Sequence, residues 1–154
     1  MKKYAKIITA ILLVTLLALT FVACIDPDND SQGTMTLVLL NGDDAKEYTV
    51  DLSKIPSDSN QTGLMAVLDY LQTDGQLTYA EEGGLLTQVG VLTDQRVDGK
   101  YIYIYTDVET DFDVSAYAAQ ITYKEKSYTN SGFGASQMSI KDGCTIVITY
   151  LIWG

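Results

Sequence analysis

An alternating segment that begins at Tyr101 is the feature that most constrains the fold of this chain. Odd positions from 101 to 113 carry three tyrosines and then four acids, whereas even positions from 102 to 114 carry Ile, Thr, Val and Phe. Because successive side chains of a strand point to opposite faces, the pattern predicts a strand from Tyr101 to Val114 whose even face lies in the core. The odd face is then either exposed or part of a binding site.

The segment before this strand predicts a hairpin followed by one helix. Two runs, Met35–Leu40 and Glu47–Leu52, flank Asn41-Gly42, a dipeptide typical of tight hairpin turns. Thr62 is then a predicted helix cap and Gly75 a predicted helix end. Between them an apolar residue recurs at the i, i+3, i+4 and i+7 spacing of one buried helix face, formed by Leu64, Val67, Leu68 and Leu71.

The remainder of the chain is predicted to be β-rich. Gly83-Gly84, Asp98-Gly99, the glycines at 132 and 134, and Asp142-Gly143 separate the apolar runs. The other predicted strands are Leu77–Ala80, Leu85–Leu92, Gln120–Tyr128 and Thr145–Trp153. A hairpin, one packed helix and further, mostly antiparallel strands predict an α+β fold in a single β-grasp-like domain.

The N-terminus has the pattern of a bacterial lipoprotein signal. Lys2, Lys3 and Lys6 precede an uncharged run of 17 residues, 7–23, which is followed by Cys24 and an acidic segment. The last residues before Cys24 resemble a lipobox, where a diacylglyceryl group is attached to Cys. We therefore expect a signal peptide at 1–23, a lipidated Cys24 with a flexible tether at 24–34, and a domain at 35–154. An uncleaved anchor helix with an incidental Cys is the alternative, and both place the domain outside the cytoplasm.

The charge and composition exclude several function classes. Removing residues 1–23 takes away three lysines and no acid, so 7 basic and 20 acidic residues remain, a net charge of −13. This balance argues against nucleic acid and leaves membrane attachment to the lipid alone. Histidine is absent, which removes the commonest general base and the usual transition-metal ligand. We therefore expect a protein that is not an enzyme, and a buried, inert thiol at Cys144.

The C-terminal half carries a resemblance to a known group of proteins. Its elements are Gly99-Lys100-Tyr101-Ile102-Tyr103-Ile104-Tyr105-Thr106-Asp107, then Gly132-Phe133-Gly134-Ala135, then Lys141-Asp142-Gly143-Cys144 before a last strand. In this order they resemble a family of bacterial surface domains of unassigned function. That family is similar to the C-terminal β-domain of transcobalamin and intrinsic factor, the vitamin B12 carriers. The helix 63–71 and the segment 84–89 fall where the family has them.

The resemblance covers roughly Met35 to Gly154 and implies ligand binding, with a corrinoid as one candidate. Two departures bear on it. The family often has Trp second in the aromatic strand, where this chain has Ile102. The vitamin carriers also hold their ligand between this domain and a large helical domain that the chain lacks.

Four aromatic residues are the candidate ligand-binding residues. Tyr101, Tyr103 and Tyr105 share the odd face of the predicted strand and offer rings that stack on a planar ligand or a sugar. Phe133 lies between two glycines and is the fourth. The alternative for the tyrosines is cross-strand packing, and for Phe133 a simple turn with the ring tucked in.

Four carboxylates are the candidate metal ligands. Asp107, Glu109, Asp111 and Asp113 would place like charges along one strand face, which is unfavourable. Either the strand ends near Asp107 and a solvated loop follows, or a hard cation offsets the repulsion. Calcium fits such an oxygen-only ligand set.

Together these observations favour a non-catalytic cell-surface lipoprotein, anchored to the membrane through its lipid, that binds a small molecule or a surface protein. The alternatives are a structural or adhesive surface module and a calcium- or metal-binding surface protein.

Overall fold

The computed structural model describes residues 27–152, so the predicted signal peptide and Cys24 lie outside the described residues. Nine strands and one α-helix make up this part of the chain. The helix α1 is Gly63–Thr73. The strands are β1 Thr34–Asn41, β2 Asp44–Asp51, β3 Tyr79–Glu82, β4 Leu85–Val89, β5 Leu92–Thr93, β6 Lys100–Thr106, β7 Gln120–Tyr123, β8 Lys126–Asn130 and β9 Thr145–Ile152.

The predicted hairpin and helix are confirmed. β1 and β2 pair antiparallel from Thr34–Asp51 to Asn41–Asp44, and Gly42 supplies the left-handed turn residue with φ of 64°. All four residues of the predicted helix stripe are fully buried. Thr62 precedes the helix, but its hydroxyl donates to the Ser136 carbonyl at 2.7 Å instead of capping the first turn. The helix N-terminus is thereby tied to a distant loop.

The main sheet has six strands in the order β2-β1-β9-β6-β8-β7. β9 inserts at the centre, parallel to β1 and antiparallel to β6, while the other pairs are antiparallel. A first hairpin, a helix on one face and a last strand inserted beside the first form a β-grasp-like α+β domain, as predicted. β3, β4 and β5, which follow the helix and precede β6 in the chain, form a second, small antiparallel sheet.

Three predicted strands were wrong in extent. The strand predicted at Leu85–Leu92 is divided into β4 and β5 by a turn at Gly90-Val91. The strand predicted at Tyr101–Val114 ends at Thr106, and a short 3-10 turn follows at Glu109–Asp111. The strand ends there because the Asp107 carboxylate bonds to β8 and β9 instead of lining a sheet face. The strand predicted at Gln120–Tyr128 is the hairpin of β7 and β8, which turns at Lys124-Glu125, both in the left-handed region.

Both faces of the six-stranded sheet bury apolar side chains. On the helix face, a large cluster joins α1 to alternate residues of β1, β2 and β9, including Leu37, Val50 and Ile148. On the opposite face, a smaller cluster contains Val38, Tyr105, Tyr128 and Val147. The sheet curls over this second cluster, as a contact between its two edges shows. The Lys124 ammonium, in the turn after β7, lies 2.5 Å from the Glu47 carboxylate of β2.

The predicted flexible tether is in part docked on the domain. The Ile140 N–H donates to the Asn29 side chain at 2.9 Å, and the Asp30 N–H donates to the Ile140 carbonyl at 2.7 Å. Lys141 lies 2.5 Å from the Asp28 carboxylate. The folded domain therefore includes residues 28–30, which precede the predicted boundary at Met35, since this segment finds partners in the loop before β9.

Candidate functional site

The structure separates the three candidate tyrosines of β6. Tyr105 is 1% exposed and packs in the smaller cluster, so the interpretation of this ring as a ligand contact was wrong. The curled sheet covers the C-terminal end of β6, where Tyr105 lies. Tyr103 and Tyr101 are half-buried and lie toward the open end of β6. The stripe is therefore a packing element at one end and an accessible surface at the other.

One edge of β6 is open at the same end of the strand. β8 pairs with β6 only at Tyr105 and Thr106, after which the Ser131 N–H donates to the Ile104 carbonyl at 2.8 Å. Backbone groups of a strand alternate between its two edges, so Ile102 directs its N–H and C=O to the same side as Ile104. Among the described residues nothing bonds Ile102 there. At the far end, Lys100 exchanges two backbone bonds of 3.1 Å with Gln95 and closes the gap.

A cavity of about 280 Å³ lies along this open edge. Four consecutive residues of β6 line it, which fits a position at the strand edge because a cavity over one face would meet alternate side chains only. The β3–β4 hairpin, the segment after β5 and the loop after β8 supply the other walls. The lining residues are Gly84, Leu85, Leu86, Asp94, Arg96, Tyr101, Ile102, Tyr103, Ile104, Ser131, Phe133, Gly134 and Ala135.

Phe133 forms part of one wall. The Phe133 N–H donates to the Ser131 hydroxyl oxygen at 3.0 Å, and that hydroxyl donates to the Phe133 carbonyl at 3.1 Å. The ring is half-buried and packs against the main core. The structure thus brings Phe133, Tyr101 and Tyr103 to one cavity and leaves Tyr105 out of it.

In the described part of the chain, the charged residues that line the cavity are Asp94 and Arg96, and sequence reasoning missed both. The Asp94 side chain is 9% exposed, and its Oδ2 accepts from Arg96 Nε at 2.5 Å. Its Oδ1 is buried and has no hydrogen-bond partner within residues 27–152. This hydrogen bond and the nearby Asp94 charge raise the pKa of Arg96. The available signal was a pair of opposite charges two residues apart, directly before the Asp98-Gly99 turn.

The four candidate metal ligands do not converge. Asp107 accepts from the Thr145 N–H at 2.9 Å and pairs with Lys126 at 2.6 Å, while Asp113 accepts from the Ser115 N–H at 2.8 Å. Asp111 is 2% exposed and accepts from both the N–H and the hydroxyl of Ser139, at 2.6 and 3.0 Å. Glu109 is exposed. The prediction of a solvated loop was therefore wrong for Asp111, whose buried carboxylate connects its turn to Ser139 by hydrogen bonds.

Among residues 27–152, no three Asp, Glu or Cys side chains are grouped closely enough to hold a metal ion. Within the same range, no helix has the length and apolar character needed to cross a membrane. Cys144 is a free, buried thiol, as expected, and burial raises its pKa to about 11. Cys24 lies outside the described residues.

A second cavity, of about 570 Å³, lies between the docked N-terminal segment, the loop 52–62 and the start of α1. Its walls are largely the exposed polar residues of that loop, among them Ser57, Asp58 and Gln61. Apolar walls with a few placed polar groups are typical of ligand sites, so the smaller cavity at β6 is the better candidate.

Comparison with known proteins gives likeness at the level of solved structures only. No family model and no curated protein matches the chain. Among solved structures, it is similar to a protein from Ruminococcus gnavus ATCC 29149 that is named a "putative metal binding protein". The two are 13% identical with a TM-score of 0.49, and the match covers 80% of this chain and 100% of the other.

Proposed function

We propose that this chain is a non-catalytic, lipid-anchored extracytoplasmic protein that binds a small ligand in the cavity along the open edge of β6. The observation that carries the proposal is the meeting of three aromatic side chains with one unpaired stretch of backbone. Tyr101, Tyr103 and Phe133 supply apolar surface, and Ile102 supplies an N–H and a C=O that a ligand can pair with. The absence of histidine supports a binding role over catalysis.

The resemblance to the vitamin B12 carriers adds a candidate ligand. Ile102, at the position where the family often has Trp, lines the cavity. A corrinoid is much larger than about 280 Å³, so only its periphery would enter. Corrinoids therefore belong in the ligand screen beside small ring compounds.

The test uses a matched pair of variants in the full-length protein held in lipid nanodiscs. Gly134 lines the cavity, and a Cβ there would meet only Gln137 Oε1 at 3.9 Å, so Gly134→Leu should fill the cavity without disturbing the fold. Ser57, an exposed residue, lines the second cavity, and Ser57→Leu places the matched leucine there. The screen contains neutral, anionic and cationic ring compounds, a corrinoid and calcium chloride. We expect binding that Gly134→Leu abolishes and Ser57→Leu preserves; the reverse pattern contradicts the proposal.

An adhesive surface module is the second candidate, and one observation favours it. The loop between Asp111 and β7 exposes Val114 at 96% and Tyr117 at 78%. Exposed apolar and aromatic side chains in one loop are suited to contact with another protein. A photo-crosslinker at position 117 on intact cells should then capture a surface protein, and one at the exposed Ser127 should not.

A further inference from the structure

The unpaired carboxylate oxygen of Asp94 specifies the chemistry of the ligand. A buried polar atom without a partner is uncommon in native proteins and needs a physical explanation. Asp94 lines the cavity, its side chain is 9% exposed, and its Oδ1 has no partner in the described part of the chain. A carboxylate accepts hydrogen bonds only, so the missing partner is a donor.

The aromatic walls favour a donor that also carries positive charge. Tyr101, Tyr103 and Phe133 surround the same cavity, and ring faces attract ammonium groups. The chain as a whole carries a net charge of −10, which draws cations and repels anions. Among the described residues that line the cavity, Arg96 is the one cationic side chain. It bonds Oδ2 and leaves the buried Oδ1 without a partner.

We infer that the cavity binds a small aromatic amine, whose ammonium group bonds Asp94 Oδ1 while its ring lies among Tyr101, Tyr103 and Phe133. This inference rests on the proposed function and adds the ligand class. Ile102 lines the same cavity, and its unpaired carbonyl offers the ammonium group a second hydrogen-bond acceptor. Arg96, with a side chain 51% exposed, is free to shift outward as the amine enters.

The experiment compares three probes that differ in one group: 2-phenylethylamine, 2-phenylethanol and phenylacetate. Binding is measured by titration calorimetry to the full-length protein in lipid nanodiscs, with empty nanodiscs as the blank. We expect the amine to bind tightest and phenylacetate weakest. Asp94→Asn should weaken the amine by about 10-fold or more, because it removes a charge-assisted hydrogen bond, and should leave the alcohol nearly unchanged.

Two further variants separate an effect on the binding site from a general effect on charge or folding. Asp98→Asn removes an exposed acid from the same segment outside the cavity and should leave all three affinities unchanged. Arg96→Gln removes the competing cation and should strengthen amine binding, which a general loss of folding would not produce.

Equal or tighter binding of the alcohol or the acid overturns the inference, as does an amine affinity that Asp94→Asn does not change. No amine binding at millimolar concentration overturns it as well. If a neutral or anionic probe binds and Gly134→Leu abolishes that binding, the amine class fails while the binding function at this cavity stands. If every probe that binds is insensitive to Gly134→Leu, the binding site itself is elsewhere and both fail.

Discussion

The Tyr123 hydroxyl donates a hydrogen bond to the Glu47 carboxylate, although the two residues belong to opposite ends of the strand order. β2 and β7 are the two edge strands of the six-stranded sheet, with four strands between them. A flat sheet would hold these edges roughly 24 Å apart, at about 4.8 Å for each strand spacing. The contact therefore shows how far the sheet curls and explains the burial of Tyr105 beneath it.

This contact has a measurable pH signature. The pKa of Glu47 is lowered, first by the hydrogen bond from Lys124 and next by that from Tyr123. A carboxylate with a lowered pKa contributes stability that is present at neutral pH and lost as the pH falls through that value. We expect Tyr123→Phe to move the Glu47 pKa upward toward its ordinary value in a carboxyl NMR titration. Tyr117→Phe, in the exposed loop, should leave it unchanged.

The turn that carries this contact contains a second testable feature. Lys124 and Glu125 have φ of 47° and 65°, where an L-residue other than glycine is disfavoured by about 1–2 kcal/mol. Glu125→Gly should therefore raise the free energy of unfolding by up to about 1 kcal/mol, measured by chemical denaturation. Ser127→Gly, in the neighbouring strand β8, should lower it by about 0.5–1 kcal/mol because glycine weakens a strand interior. Destabilisation by Glu125→Gly would contradict the turn geometry.

The tyrosine stripe of β6 is expected to divide into two parts on mutation. Tyr105→Ala should cost about 3–5 kcal/mol, the usual range for truncation of a buried aromatic ring. Tyr101→Ala, at the half-buried open end, should cost only about 1 kcal/mol and should weaken ligand binding instead. Denaturation midpoints and probe affinities of both variants provide the comparison. Equal losses of stability would mean that both ends of the stripe belong to the packing.

Asp111 is expected to govern stability and not metal affinity. Removal of its carboxylate leaves the N–H and hydroxyl of Ser139 without partners, so Asp111→Ala should cost about 3 kcal/mol. Glu109→Ala, on the exposed side of the same turn, should cost under about 0.5 kcal/mol. Because each of Asp107, Asp111 and Asp113 is engaged with protein groups, millimolar calcium should not raise the melting temperature. A rise that Asp111→Asn removes would restore the calcium interpretation.

Cys144 should be unreactive in the native state. Burial raises its pKa to about 11, so the nucleophilic thiolate is scarce at pH 8. In a full-length Cys24→Ser variant, Cys144 is the only thiol. We expect a thiol reagent to label it slowly under native conditions and rapidly in denaturant. Fast native labelling would show that the loop before β9 opens.

The sequence predicted those features whose cause is local. The buried stripe of α1 and the Asn41-Gly42 hairpin depend on neighbouring residues, and both were found at the expected positions. Features set by distant partners were not predictable: Asp111 is buried because Ser139, 28 residues away, completes its hydrogen bonds. The turn at Lys124-Glu125 lacks the usual Asn or Gly, so only the sheet reveals it. The Asp94 carboxylate likewise becomes a site residue only when β6 and the loop after β8 close around it.

The docked N-terminal segment would set how the domain is oriented if Cys24 carries the proposed lipid anchor. Asn29 is held at Ile140 and follows Cys24 by five residues, which span at most about 18 Å when fully extended. A lipid on Cys24 would therefore keep the end of the sheet where β1 and β9 begin close to the bilayer. β6 runs antiparallel to β9, so Lys100 pairs with Ile152 at the opposite end of the strand. In an anchored protein, the Tyr101 end of the cavity would therefore face away from the bilayer and be accessible to solutes in the surrounding medium.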